Sequence, residues 1–211
     1  MTPSTFTTIL LVRHGTTATT GTVLPGRAPG LHLAERGVAQ AEAVAVRLGE
    51  LTKKPVALYA SPLERARETA APIAKVLQLR PFIDRGLLEC DFGSWTGKKL
   101  SLLSRKAEWK TVQNSPSTFR FPEGESFGEM QLRIWATLEK LARTHRGRTI
   151  VVVSHADPIK AAVTYAQGVP LDLFQRTVIS TCSVSAIGFT GAGPMVLTVN
   201  STASLKDLSP S

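Results

Sequence analysis

Five short runs set the frame of this chain. Residues 8–12, 56–60, 149–153, 184–189 and 196–199 are rich in Val, Ile and Leu, bounded by turn residues, and the length of strands. Segments of helical period lie between them. Val38, Ala41, Val44, Ala45 and Leu48 fall on one face, and Phe127, Met130, Ile134, Leu138 and Leu141 on another. Strands that alternate with amphipathic helices imply βαβ units. The predicted class is α/β: a three-layer α/β/α sandwich around a mostly parallel central sheet. The 211 residues suit one domain over 1–200, with a less regular insert or lid at 82–122. The Ser-rich residues 201–211 read as a flexible tail.

Composition narrows the function. Apolar residues make up 43% and charged residues 19%, so a core can form, yet apolar runs are only a few residues long, far short of a membrane span. The first residues, Met-Thr-Pro-Ser-Thr-Phe, lack the basic start and apolar stretch of a signal peptide. The expectation is a cytoplasmic protein without a membrane partner. Cys90 and Cys182 stand far apart without a CxxC or Cys/His cluster, which predicts two buried thiols and no structural zinc. The net charge of +9 favours anionic partners. Its basic residues are scattered (Lys53-Lys54, Lys98-Lys99, Arg146 with Arg148) and not interleaved with aromatics, which argues against a nucleic-acid partner.

Three helix starts are legible. Ser61-Pro62-Leu63-Glu64 offers an N-cap, a first-turn proline and a capping-box Glu; Asp157-Pro158 offers a cap and proline; Ser126-Phe127-Gly128-Glu129 is a capping box. The first two follow strands, so their surroundings lie at strand carboxyl ends, where ligands bind in open α/β sheets. Arg13 and His14 follow the first strand, Arg65 follows the second, and His155 the third. Two arginines and two histidines thus meet on one rim, with helix N-termini adding backbone N–H groups such as those around Ala156. Such a rim binds an anion, and the arginine fork matches phosphate oxygens.

The same residues resemble a known family. Leu11-Val12-Arg13-His14-Gly15 looks like the RHG signature of the histidine phosphatase superfamily, also called phosphoglycerate mutase-like. The resemblance continues through Ser61-Pro62-Leu63-Glu64-Arg65-Ala66-Arg67-Glu68-Thr69-Ala70 and residues 88–97, which read Leu-Glu-Cys-Asp-Phe-Gly-Ser-Trp-Thr-Gly. It then takes in Pro122-Glu123-Gly124-Glu125-Ser126 and Val153-Ser154-His155-Ala156. The blocks keep the family's order over about residues 8–190, most like actinobacterial members named as phosphatases or phosphomutases.

The resemblance implies a metal-independent phosphomonoester hydrolase with no cofactor, acting on a small phosphorylated substrate and releasing inorganic phosphate. His14 would be the nucleophile, Arg13, Arg65 and His155 would hold the phosphoryl oxygens, and Glu89 would act as general acid and base. Thr16 and Thr20 stand where many members carry Glu and Asn. Their hydroxyls can still donate to phosphate. Arg27 is a further candidate contact from its turn, and Ala156 contributes from its helix start. Asp157 reads as a helix cap, and as a carboxylate that disfavours a second anionic group on the substrate. The segment between Glu89 and His155 is short for a dedicated mutase.

Rival readings are weighed on the same residues. A phosphomutase would share every group and differ only in whether water or product alcohol reaches the phosphohistidine. Gly124-Glu125-Ser126-Phe127-Gly128 matches G-x-S-x-G formally and suggests a serine esterase, but Pro122 interrupts the strand a nucleophile elbow needs, and Asp157 follows His155 where a triad acid should precede it. Gly93-Ser94-Trp95-Thr96-Gly97-Lys98-Lys99 is one residue short of a P-loop and lacks its Ser/Thr. A non-catalytic phospho-ligand or RNA binder would be signalled by loss of His14 or Glu89, and both are present. A homodimer is expected on base rate alone.

Overall fold

The computed structural model describes residues 6–203. Six strands form one sheet in the order β3-β2-β4-β1-β5-β6. They are β1 (Thr7–Arg13), β2 (Ala57–Ala60), β3 (Pro81–Ile83), β4 (Thr149–Ser154), β5 (Val184–Thr190) and β6 (Gly193–Ser201). The first four are mutually parallel, with Leu10 and Leu58 both opposite Val151, and Leu58 opposite Pro81. β5 and β6 run antiparallel at one edge. β3 falls at the start of the stretch read as irregular; it is three exposed residues long and carries no buried period to betray it.

Period two in β1 explains the layers. Ile9 and Leu11 point to one side, packed with Met130, Ile134 and Leu138 of α5 (Phe127–Thr144) and Ile159 of α6 (Ala156–Ala166). Leu10 and Val12 point to the other, packed with Val44 and Leu48 of α1 (Glu35–Gly49) and Ala66 and Ile73 of α2 (Glu64–Leu77). The predicted apolar face of α5 is buried throughout, and so are Ala41, Val44, Ala45 and Leu48 of α1; the first predicted residue of that face, Val38, departs. Val38 is 47% exposed, and Gly37 faces inward in its place. A Cβ at Gly37 would lie 2.1 Å from the Thr16 carbonyl oxygen, so the helix approaches the loop after β1 more closely than any side chain permits.

Residues 82–122 carry three-residue turns and two short helices, α3 (Leu100–Leu103) and α4 (Ala107–Asn114), among loops. Phe92, Trp95, Leu103, Val112 and Phe121 from this stretch join the core under α5 and α6. Phe121 anchors the stretch, its ring 4.8 Å from Phe92, 5.5 Å from Trp95 and 5.1 Å from Phe127. Of the residues read as a tail, Ser201 closes β6, and Arg47 donates to the carbonyls of Ser201 and Ala203; 204–211 lie outside the described residues. Among the described residues no helix is long and apolar enough to cross a membrane. Both cysteines are unpaired and buried.

Candidate active site

Parallel pairing of β1, β2 and β4 puts their carboxyl ends on one rim. The chain leaves that rim under tight backbone control. The His14 N–H donates to the Ser154 carbonyl at 3.0 Å and the Ser61 N–H to the Val153 carbonyl at 3.0 Å. The Gly15 N–H donates to Thr69 Oγ1 at 3.0 Å, and that hydroxyl donates to the Arg65 carbonyl at 2.7 Å. β1 and α2 are thereby fixed to each other at the residues that carry His14 and Arg65.

Four of the expected residues meet here. Arg65 Nε donates to His14 Nε2 at 3.3 Å, and the rings of His14 and His155 are 5.2 Å apart. Arg65 and His155 have no exposed surface and His14 only 5%, an unusual depth for an arginine without an acidic partner. Arg65 donates through Nη2 to the Gly26 carbonyl at 2.8 Å, and Arg13 through Nη1 to the Ile179 carbonyl at 2.7 Å. Their remaining donors are the informative ones. Arg13 Nε, Arg65 Nη1 and His155 Nδ1 are buried and have no hydrogen-bond partner among the described residues. Buried nitrogens without partners cost free energy, and three around one imidazole are matched by a polyoxygen anion.

Hydrogen bonding sets the His14 tautomer. The Gly15 carbonyl can only accept, so His14 Nδ1–H donates to it at 2.8 Å, and Nε2 keeps the lone pair. Burial first, and Arg65 second, push the His14 pKa down to about 3. Burial and the same arginine drive His155 well below its usual value too. Both imidazoles are therefore neutral around pH 7. Glu89 goes the other way: burial and then the Asp157 charge raise it to about 7, against the Cys90 N–H that its Oε1 accepts at 2.9 Å.

Ser61 and Asp157 depart from their cap readings. α2 begins at Glu64 after Leu63, so the Ser61 hydroxyl is left for His155 Nε2, 2.8 Å away. α6 begins at Ala156, so His155 takes the cap position and Asp157 falls in the first turn, 3.4 Å from Lys160 Nζ. The Ser126 capping box forms as read, with Glu129 N–H donating to Ser126 Oγ at 3.1 Å.

The cavity at this rim has a volume of about 410 Å³ and is lined by Arg13, His14, Glu89, Ala156 and Thr20 among others. Thr17, which the sequence did not single out, lines it beside Thr20 and donates its N–H to Thr20 Oγ1 at 2.9 Å. Two expected phosphate contacts are placed elsewhere. Thr16 donates through both N–H and Oγ1 to Gln40 Oε1, at 3.0 and 2.9 Å, tying the loop to α1. Arg27 pairs with Asp91 at 3.2 Å and Glu125 at 2.8 Å, and donates to the Glu89 carbonyl at 2.9 Å. Arg133 grips the same carbonyl at 3.3 Å while binding both Glu125 oxygens. Two arginines thus clamp the backbone of Glu89 from behind, a role whose partners are too distant in sequence to be read there.

An α/β fold with a neutral histidine among arginines at the strand ends defines a phosphoryl-binding protein. The model of the histidine phosphatase superfamily (branch 1) matches residues 9–202, and the chain belongs to that family. It is 30% identical over 203 residues to phosphoserine phosphatase 1 of Hydrogenobacter thermophilus, covering 93% of each chain. A metal-independent phosphoserine phosphatase of Arabidopsis thaliana is 35% identical over 162 residues, 74% of this chain and 66% of the plant protein. Among solved structures, a phosphoserine phosphatase from Entamoeba histolytica in complex with phosphoserine superposes with a TM-score of 0.82 at 25% identity, covering 93% of this chain and 98% of that one. A mycobacterial glucosyl-3-phosphoglycerate phosphatase shares the fold with a TM-score of 0.84 at 21% identity, over 93% and 100% of the two chains.

Proposed function

We propose that the protein hydrolyses phosphomonoesters through a phosphohistidine at His14. The observation that carries this is the neutral His14, its Nε2 lone pair facing a cluster of buried, unpartnered arginine and histidine donors. In the first step His14 Nε2 attacks phosphorus as the bond to the ester oxygen breaks. Glu89, protonated below about pH 7, gives its proton to the departing alcohol. Arg13, Arg65 and His155 hold the non-bridging oxygens of a loose transition state; the two arginines supply the positive charge it needs, and neutral His155 contributes a hydrogen bond. On substrate binding the long Arg65–His14 hydrogen bond is exchanged for one to phosphate, which frees the Nε2 lone pair.

In the second step the Glu89 carboxylate takes a proton from water. The water oxygen bonds to phosphorus, the N–P bond breaks, and inorganic phosphate leaves with Glu89 protonated again. Imidazole needs no preliminary deprotonation, because burial and Arg65 have already removed the charged form. Two buried, unpaired cysteines support a cytoplasmic setting.

The test is hydrolysis of p-nitrophenyl phosphate in the presence of EDTA, wild type against His14→Ala. Turnover that persists in EDTA and vanishes in the variant is expected. Turnover surviving in His14→Ala would remove His14 as nucleophile and refute the mechanism.

A further inference from the structure

Beyond its arginines and histidines the cavity changes character. Leu24, Leu100, Trp109, Val112, Val178 and Ile179 are among its lining residues. Val178, an apolar residue at the rim, is 66% exposed. A cavity that carries an exposed valine and a half-buried tryptophan offers a surface suited to an apolar group.

The charges of this outer part are already matched. Lys160 is the cavity-lining cation besides Arg13, and it is committed: its Nζ lies 3.4 Å from Asp157 Oδ1, donates to Gln175 Oε1 at 2.9 Å, and sits 5.9 Å from the Phe174 ring centre. Asp157 and Glu89 also line the cavity. A second anionic group on the substrate would meet these carboxyls, and among the described residues that line the outer cavity no unengaged cation receives it. The two nearby arginines, Arg27 and Arg133, are held behind Glu89 by Glu125, and Arg27 by Asp91 as well.

We infer that this cavity selects phosphomonoesters of bulky apolar alcohols in which the phosphate is the sole anion, over phosphates of amino acids and sugar acids. The inference rests on the hydrolase reading above and specifies its substrate. It separates this chain from the relatives named for phosphoserine. It also disfavours a bisphosphorylated ligand, since a second phosphate asks for still more positive charge than a carboxylate.

The experiment compares kcat/KM for phenethyl phosphate and O-phospho-L-serine. Both are alkyl esters, and the serine hydroxyl is the better leaving group, so intrinsic reactivity opposes the expected order. One well-placed apolar contact is worth about tenfold or more in kcat/KM, and the expected preference for phenethyl phosphate is at least about tenfold. Val178→Asp, at an exposed position that folding tolerates, should raise KM for phenethyl phosphate and narrow the gap. Trp109→Ala should do the same. Equal or better turnover of phosphoserine by an active enzyme overturns the inference and leaves the hydrolase reading standing; it would mean that Asp157 and Lys160 part to hold a zwitterion. Failure to turn over either ester, or p-nitrophenyl phosphate, would overturn both.

Discussion

In the proposed mechanism Glu89 is the residue at which stability and catalysis are opposed. Its carboxyl is buried at 6% exposure, shares the cavity with Asp157, and titrates at about 7 in place of 4.5. The folded protein therefore holds the proton more tightly than the unfolded chain does. Below about 4.5 both states are protonated and the site costs nothing; between 4.5 and about 7 the cost grows, and above 7 it is complete. A displacement of that size corresponds to roughly 3 kcal/mol. Glu89→Gln keeps an oxygen to accept the Cys90 N–H and removes the ionisation. Urea denaturation should find the variant more stable than wild type by up to about 3 kcal/mol at about pH 8, and the two nearly equal at about pH 4.

Activity should move in the opposite direction. Without a proton donor the alcohol departs as an alkoxide, and kcat for an alkyl phosphate should fall by about 10²–10⁴. In the wild type, kcat/KM should decline above about pH 7 as Glu89 loses its proton, while His14 stays neutral down to about pH 3. Asp157→Asn removes the second cause of the raised value, so the declining limb should begin at lower pH. A Glu89→Gln protein that is less stable at pH 8, or that gains equally at both pH values, would show that the native carboxylate is well solvated. The physical basis for Glu89 as the acid would then be gone.

Two further substitutions probe the supports of the site. Ser61→Ala leaves the buried His155 Nε2 without its partner at 2.8 Å and frees the ring's orientation. About a tenfold rise in KM and in the inhibition constant for inorganic phosphate is expected, with kcat less affected; an unchanged phosphate affinity would refute Ser61 as the residue that orients His155. Gly37→Ala forces a Cβ to within 2.1 Å of the Thr16 carbonyl, backbone against backbone, so α1 and the loop after His14 must separate. The melting temperature and kcat/KM should fall together, with a stability loss of about 2 kcal/mol or more; a variant of wild-type stability would refute the close approach.

What could be read from the sequence, and what could not, divides along a physical line. The strands were legible because β1 and β4 are buried on both faces and so are continuous apolar runs. Once three of them are parallel, topology alone sends Arg13, Arg65 and His155 to one rim, whatever the loops do. Local rules failed where a distant group competed for the same atom. Ser61 has the sequence context of an N-cap, yet His155, 94 residues away, holds its hydroxyl. Arg27 has the look of a free loop cation until Asp91 and Glu125 arrive beside it. The helix period placed Val38 inward, but at that end of α1 it is Gly37, in close approach to Thr16, that is buried, and Val38 is left exposed. Thr17 rather than Thr16 reaches the cavity for the same reason: Gln40 of α1 captures its neighbour.

The catalytic centre and the specificity wall differ in kind on this account. The centre is built from residues that must sit at strand ends, so motif and topology agree on them. The wall is assembled from Leu24, Leu100, Trp109 and Val178, drawn from two loops and two short helices, whose only shared property is where they end up. No spacing rule links them, because apolar packing has no direction and accepts any backbone route that delivers a side chain of suitable size. Relatives with the same rim can therefore differ in substrate without a change in any motif. An exchange of the segment 99–113 between this chain and a relative named for phosphoserine should carry substrate preference with it and leave the His14 dependence intact. If preference stayed with the parent rim instead, specificity would reside in Asp157 and Lys160 on α6, and the apolar wall would be packing alone.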